Sequence, residues 1–111
     1  MQIDVTKETS VVVVAVEGTI DFETSPQLRE CFDRLLAEGK QNYVVDMTGV
    51  EFIDSPGLLV FVRLLKRVRI GRGDVRLCGL RSEILKTFEL TRLNKVFDIF
   101  ETHAEAVESF R

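Results

Sequence analysis

The chain has 111 residues, a length that fits one compact domain and leaves no room for a second. Apolar residues make up 45% of the chain and charged residues 30%, which excludes disorder and supplies both a core and a polar surface. The net charge of −3 argues against binding to nucleic acid, because that function needs a strongly basic surface.

Membrane and metal chemistry are also poorly supported. No apolar run approaches the roughly 20 residues that span a bilayer, and the N-terminus lacks the pattern of a signal sequence. We therefore expect a cytoplasmic protein with no direct membrane insertion. Cys31 and Cys78 lie in apolar patterns without C-x-x-C spacing, and His103 is the only histidine. We expect two buried free thiols, no metal site and no cofactor.

The first elements are extended. Two extended runs flank a polar segment, residues 7–10, which predicts a turn. Residues 11–16 are valine except for Ala15, and β-branched residues without polar alternation favour a strand buried on both faces. We therefore predict a central strand there.

A helix follows after Gly18. Thr24 or Ser25 is the predicted N-cap, Pro26 suits the first turn, and Gln27 is placed to close a capping box on Thr24. Apolar side chains then recur with helical spacing at Leu28, Cys31, Phe32, Leu35 and Leu36, and Gly39 ends the pattern.

The rest of the chain continues to alternate strands and helices. We predict a strand over 43–47, a turn at Thr48 and Gly49, and a helix over 56–70 that Gly71 and Gly73 stop. A strand over 75–80 follows, and then a short helix capped by Ser82, with Ile84, Leu85 and Phe88 facing inward. The chain ends with an edge strand over 95–100 and an amphipathic turn over 103–110. This order predicts an α/β fold: a mixed sheet of four to five strands flanked by helices in a single domain.

The tetrapeptide "DSPG", residues 54–57, stands where a strand leads into a helix. With Pro56 at the first helical position, Ser55 is the predicted N-cap. The N–H groups and the positive helix dipole at such a terminus also favour an anion, including a phosphate carried on Ser55. The residues alone favour a plain cap and leave a phosphorylation site open.

The helix after Ser55 has an unusual apolar pair. Leu59 and Val60 fall outside the stripe that faces the sheet and share their side of the helix with basic residues. Either they are exposed and form a partner surface, or a loop or the C-terminal segment covers them. The basic residues nearby are predicted as a solvated face, or else as a surface that steers an acidic partner: Arg63, Lys66, Arg67, Arg69, Arg72 and Arg76.

Catalytic motifs are missing. Neither G-x-S-x-G nor G-x-x-x-x-G-K-[ST] occurs, and the "GRG" at residues 71–73 follows a helix instead of opening one. We predict no enzyme activity and no catalytic residues.

Four segments together resemble one family: "VEGTID", "VVDMTGVEFIDSPGL", "DVRLCGL" and "ILKTFELTRLNKVFDIF". They are similar to the STAS domain, and within that family to the single-domain bacterial anti-sigma factor antagonists. The similarity extends over nearly the whole chain, and we assign residues 1–111 to one STAS domain. Its most specific part is the hydrophobic strand followed by D-x-[ST] and then by the aromatic-x-Asp-Ser-x-Gly-Leu run.

The resemblance implies a binding switch without enzyme activity that regulates transcription. Ser55 takes the place of the phosphoacceptor, and Asp21 and Asp54 match acidic positions close to it. The implied partners are an anti-sigma factor that is also a serine kinase and a phosphatase that acts on the phosphoserine. The unphosphorylated antagonist sequesters the anti-sigma factor and frees the sigma factor. The predicted helix N-terminus and partner surface comprises Pro56, Gly57, Leu59 and Val60.

Two positions depart from the family pattern. Pro56 replaces a small residue, and Leu59 replaces the second glycine of G-L-G. Proline removes one N–H and stiffens the loop, and leucine adds bulk above the hydroxyl. These changes predict phosphorylation of Ser55 that is slow, restricted to one kinase, or lost.

Two other functions stay open at this point. One is a STAS interaction subunit of a lipid-transport ABC complex or a signalling scaffold, with no phosphorylation at Ser55. The other is nucleotide binding or weak hydrolysis at Asp21, Asp54 and Ser55.

Overall fold

A computed structural model describes all 111 residues of the chain. The elements in chain order are β1 (Gln2–Glu8), β2 (Val11–Ile20), α1 (Ser25–Ala37), β3 (Asn42–Ile53), α2 (Ser55–Ile70), β4 (Asp74–Cys78), α3 (Ser82–Leu90), a 3₁₀ turn (Leu93–Lys95), β5 (Asp98–Phe100) and α4 (His103–Glu108). They confirm the predicted α/β class.

The five strands form one mixed sheet in the order β1-β2-β3-β4-β5. Strand β1 pairs antiparallel with β2, and every later pair is parallel. The antiparallel pair that opens the sheet and an edge strand near the end of the chain are both present, but the edge strand is shorter than predicted and starts at Asp98, because residues 93–95 form the 3₁₀ turn. The hairpin turn is shorter than predicted, because β1 continues through Glu8 and only Thr9 and Ser10 turn.

Valines on β2 fill the core on both faces of the sheet. Val12, Val14 and Val16 join the main cluster, to which α1, α2 and α3 contribute, whereas Val11 and Val13 pack in a smaller cluster with α4. The predicted burial of this strand on both faces is therefore confirmed. Helices α1 to α3 cover one face of the sheet, and α4 covers part of the other.

Both cysteines are buried free thiols, as predicted. Burial raises the pKa of the Cys31 thiol, and it raises the pKa of Cys78 to about 12. Neither thiol is therefore ionised near neutral pH. No helix has the length and apolar character needed to cross a bilayer.

Strand β3 is longer than predicted and contains no turn at Thr48 and Gly49. It carries one more residue than β2 at two points of their pairing, and these irregularities let the strand run on to Ile53. A Cβ on Gly49 would lie 2.6 Å from the Glu17 Cγ, so this glycine permits a close approach of two strands. The predicted turn is therefore wrong, because glycine is common both in turns and where two strands approach closely.

Several helix boundaries agree with the prediction to within a few residues, but one cap does not. The N-cap of α3 is Arg81, and Ser82, which was predicted to cap it, is the first helical residue. Ile84 and Phe88 are buried as predicted, and Leu85 is half-buried.

Candidate functional site

Two helices begin at the same edge of the sheet. Strands β2 and β3 are parallel and end side by side at Ile20 and Ile53, and the Asp54 N–H donates to the Ile20 carbonyl at 3.2 Å. Helices α1 and α2 follow these strands, and both have serine and proline as their first two residues. In parallel sheets this carboxyl edge is where binding sites form.

Asp54 is the residue that joins the two loops. It is the N-cap of α2, and its Oδ1 accepts a hydrogen bond from the Gly57 N–H at 2.9 Å. Its Oδ2 accepts from the Phe22 N–H at 2.9 Å, in the loop between β2 and α1. The prediction that Ser55 is the N-cap is therefore wrong. Asp54 has the extended backbone and the carboxylate that reaches the third helical residue, which leaves Ser55 as the first residue of the helix.

Ser55 is exposed and has no capping role, since Asp54 fills it. Leu59 lies one turn further along α2 and leaves 64% of its surface exposed, as expected if it belongs to a partner surface. Pro56 is half-buried between them. Phosphorylation of Ser55 stays a prediction at this point.

Gly57 and Val60, two of the residues predicted on the partner surface, are buried. Val60 is only 5% exposed and belongs to the main core cluster, so the possibility that it is exposed beside Leu59 is wrong. The helical pattern placed it outside the sheet-facing stripe, but α1 packs alongside α2 and extends the core on that side. A Cβ on Gly57 would lie 2.6 Å from the Ile20 carbonyl oxygen, so this glycine lets the helix approach the strand ends.

Asp21 organises the loop before α1. Its Oδ1 accepts from the Glu23 N–H at 2.9 Å and the Thr24 N–H at 3.0 Å. Hydrogen bonds from Thr24, the backbone N–H first, hold the pKa of the Asp21 carboxyl below its ordinary value. Asp21 and Asp54 are brought to the same loop, since Asp54 binds the N–H of the next residue, Phe22. Their carboxylate oxygens are nevertheless engaged by different donors.

The predicted capping box at the start of α1 is wrong in its details. Thr24 occupies the N-cap position, but its side chain makes no capping hydrogen bond. Its Oγ1 instead accepts from the Asp21 N–H at 2.9 Å and lies 2.8 Å from the Thr19 carbonyl oxygen. The Thr24 hydroxyl thus closes the loop that precedes α1, and the Gln27 side chain does not form the predicted capping box with it.

An open cleft of about 710 Å³ separates the first turns of α1 and α2. Ser55, Leu59 and Val60 line it from α2, and residues around the start of α1 complete it, among them Phe22 and Arg29. The Phe22 side chain is 75% exposed. Phe22 and Arg29 were not predicted at the site, although an aromatic residue in the polar run "IDFETS" is a signal of an exposed contact.

The six basic residues predicted as a solvated face do not form one patch. Arg63 and Arg67 both pair with Asp33, at 2.9 and 3.4 Å. Arg76 lies on β4, bonds to the Ser109 carbonyl at 2.6 Å and stacks on the Phe110 ring at 4.0 Å. The prediction therefore fits the exposed basic residues of α2, whereas Arg76 holds the C-terminal segment.

No group of three or more His, Cys, Asp or Glu side chains comes together in a way that could hold a metal ion. The chemistry that this edge of the sheet offers consists of an exposed hydroxyl, two hydrogen-bonded carboxylates and a partly apolar cleft.

Comparison with known families defines the class. The family model for the STAS domain matches residues 2–106. The chain therefore belongs to the STAS domain family, and the resemblance noted in its sequence is confirmed.

The relatives place it among the anti-sigma factor antagonists of that family. The anti-sigma-B factor antagonist of Listeria monocytogenes is 31% identical over 101 residues, which cover 89% of this chain and 87% of the relative. A crystal structure from Thermotoga maritima superposes with a TM-score of 0.92 at 25% identity, covering 96% of this chain and 92% of its own.

The Bacillus protein SpoIIAA shares the fold alone, at 18 to 19% identity. Its unphosphorylated form, an anti-sigma factor antagonist, superposes with a TM-score of 0.77 over 99% of this chain and 98% of its own. Its phosphorylated form gives 0.79 over 99% and 100%.

Proposed function

We propose that residues 1–111 act as one STAS domain that antagonises an anti-sigma factor, and that phosphorylation of Ser55 controls this binding. The observation that carries the proposal is the exposed position of Ser55 at the start of α2. Its hydroxyl is exposed at the start of α2, freed from capping by Asp54, and set in a cleft bordered by the exposed side chains of Phe22 and Leu59. A kinase can reach it, and a bound partner would cover it.

The proposed partner is an anti-sigma factor that also acts as the serine kinase. The unphosphorylated protein sequesters it and so frees a sigma factor, and a phosphatase restores this form after phosphorylation. The protein itself has no enzyme activity in this scheme and works in the cytoplasm, where transcription takes place. Nucleic acid and membrane are not partners, in keeping with the net charge of −3.

Electrostatics explains how one phosphate can separate two proteins. The phosphate adds roughly −1.5 to −2 charges at neutral pH. Free in solvent, that charge is tolerated beside the positive end of α2. Buried under a partner without matched cations it costs several kcal/mol, and every 1.4 kcal/mol corresponds to a factor of about ten in affinity.

Relatives support the phosphorylation step. SpoIIAA, an anti-sigma factor antagonist of the same fold, exists in an unphosphorylated and a phosphorylated form. The Listeria relative is also an anti-sigma factor antagonist. These are properties of those proteins, and we extend them to this chain on the strength of the exposed Ser55.

The decisive experiment tests the acceptor. We expect the cognate kinase to phosphorylate the wild-type protein and Ser82→Ala, but not Ser55→Ala, with phosphate located by mass spectrometry. Ser82 is the matched control, because it is also an exposed serine at the first position of a helix. Phosphate that persists on Ser55→Ala would place the acceptor elsewhere.

Purification from the native cells separates the proposal from its main alternative. We expect an anti-sigma factor kinase to copurify with the unphosphorylated protein. A transporter ATPase as the main partner, with no phosphate on Ser55, would instead identify an interaction subunit of a lipid-transport ABC complex.

A further inference from the structure

The first turn of α2 offers few free N–H donors to a phosphate on Ser55. The Gly57 N–H is already bonded to the Asp54 carboxylate at 2.9 Å, and the Leu58 N–H to the Asp54 carbonyl at 2.9 Å. Pro56 has no N–H. Of the N–H donors that usually bind an anion at a helix N-terminus, only that of Ser55 itself is left, so a phosphate must find most of its partners elsewhere.

Two arginines border the same cleft as Ser55. Arg29 extends from α1, one turn after Ser25, and Arg63 extends from α2, two turns after Ser55. Side chains on a helix tilt toward its N-terminus, so an Arg63 side chain that leaves Asp33 can lean back along α2 toward Ser55. The two arginines thus line the cleft from opposite walls.

Arg29 has no carboxylate partner. Its side chain is exposed, and it takes part in none of the ion pairs of the molecule. An unpaired arginine offers a planar set of donors that matches phosphate oxygens. It can bind a phosphate without giving up an ion pair.

Arg63 is paired, but its partner is shared. Asp33 lies 2.9 Å from the Arg63 Nη1 and 3.4 Å from the Arg67 Nη1. If Arg63 turns toward Ser55, Asp33 keeps Arg67. All three groups are substantially exposed, so the exchange of one ion pair for another carries little cost.

We propose that Arg29 and Arg63 bind the phosphate on Ser55 within the same chain, across the cleft between α1 and α2. This inference rests on the proposed phosphorylation of Ser55 and specifies what the phosphate does. It occupies the cleft and engages both of its arginines. A partner that docks there then finds the cleft filled and both arginines engaged, and it also meets a negative charge.

Two carboxylates near Ser55 oppose this binding and also affect the second pKa of the phosphate. Glu23 also lines the cleft, and Asp54 precedes Ser55 in the chain. Both repel a dianionic phosphate and raise its second pKa, whereas arginines lower it. A comparison among variants that keep both carboxylates isolates the arginine contribution.

The test uses protein with phosphoserine installed at position 55 during synthesis, so that no kinase is required. The second pKa of the phosphate, about 6 for phosphoserine, is measured by ³¹P NMR titration. We expect this pKa to rise by about half a unit or more in Arg29→Gln and in Arg63→Gln, since each loses a cation that favours the dianion.

Matched controls remove one positive charge from each helix outside the cleft. Arg34→Gln serves for α1 and Lys66→Gln for α2, because both residues are exposed and neither lines the cleft. Their phosphate pKa should stay at the wild-type value. Equal pKa values in the cleft variants and the controls would overturn the inference. That outcome leaves the kinase assay on Ser55→Ala unaffected, so the two proposals fail separately.

Discussion

Helices α1 and α2 begin with the same dipeptide, yet the two serines have opposite environments. Ser25 is 5% exposed, and its Oγ lies 3.4 Å from the Phe22 carbonyl oxygen, beneath the loop that Asp21 and Thr24 close. Ser55 follows a strand end with only Asp54 between, so no loop covers it, and it is exposed. The Ser-Pro pair determines where a helix starts, and the connection before it determines whether the serine is available to a kinase.

The same substitution should therefore act on binding at one serine and on stability at the other. We expect Ser55→Asp to weaken binding to the cognate anti-sigma factor by about 10²–10⁴-fold, through a negative charge buried under the partner, with the fold intact. Ser25→Asp should instead lower the free energy of unfolding by about 2–4 kcal/mol, because the carboxylate replaces a buried hydroxyl. Calorimetric titration and urea denaturation measure the two effects. Undiminished binding of Ser55→Asp would contradict the comparison.

The third residue of each helix should differ just as sharply. Gly57→Ala places a Cβ 2.6 Å from the Ile20 carbonyl oxygen, and we expect it to lower the free energy of unfolding by about 2–3 kcal/mol. Gln27 stands at the matching position of α1 and is exposed, so Gln27→Ala should change stability by less than about 0.5 kcal/mol. Urea denaturation of both variants is the measurement. Equal losses would show that the close approach of α2 to the strand ends is not what requires the glycine.

Adjacent residues on α2 offer a smaller contrast. Val60→Ala should cost about 1–2 kcal/mol of stability, since the side chain is buried in the core. Leu59→Ala should leave stability nearly unchanged and increase the rate of Ser55 phosphorylation, because bulk is removed from above the hydroxyl. Urea denaturation and an initial-rate kinase assay check the pair. A slower phosphorylation of Leu59→Ala would mean that the kinase uses this leucine as a contact.

The smallest expected effect concerns the loop before α1. The folded pKa of Asp21 is lowered from its ordinary value of 3.8, so its ionised form stabilises the fold above that value. This contribution is lost as the pH falls through the lowered pKa. Asp21→Asn should unfold at lower urea concentration than wild type at pH 7, and the gap should narrow below about pH 4. If the difference in urea midpoint between the two proteins were the same at every pH, the charge of the carboxylate would not be what stabilises the fold.

Much of the fold follows from the sequence, because its signals are local and agree with one another. The valines of β2, the helical spacing from Leu28 onward and the glycines after α2 each fix an element without reference to the rest of the chain. The order of the strands in the sheet was not predicted, because it depends on pairings between distant segments that no local pattern determines.

The candidate site was predicted less well, because its details depend on contacts between elements. Whether Asp54 or Ser55 caps α2 depends on which oxygen reaches the Gly57 N–H. Whether Val60 is buried depends on α1, which the helical wheel of α2 does not include. The position of Phe22 beside the cleft depends on the hydrogen bond that its N–H donates to the Asp54 carboxylate. Each correction involves a partner that is distant in sequence or a choice between neighbouring side chains.

The two hydrogen bonds of the Asp54 carboxylate also have a kinetic consequence. One oxygen holds Gly57 at the start of α2 and the other holds Phe22 before α1, so a rotation of this side chain releases both amides together. The amide protons of Phe22 and Gly57 should then exchange with solvent in one correlated opening, although 34 other residues separate them in the chain. The start of α2 and the loop that carries Phe22 would thus open in the same event.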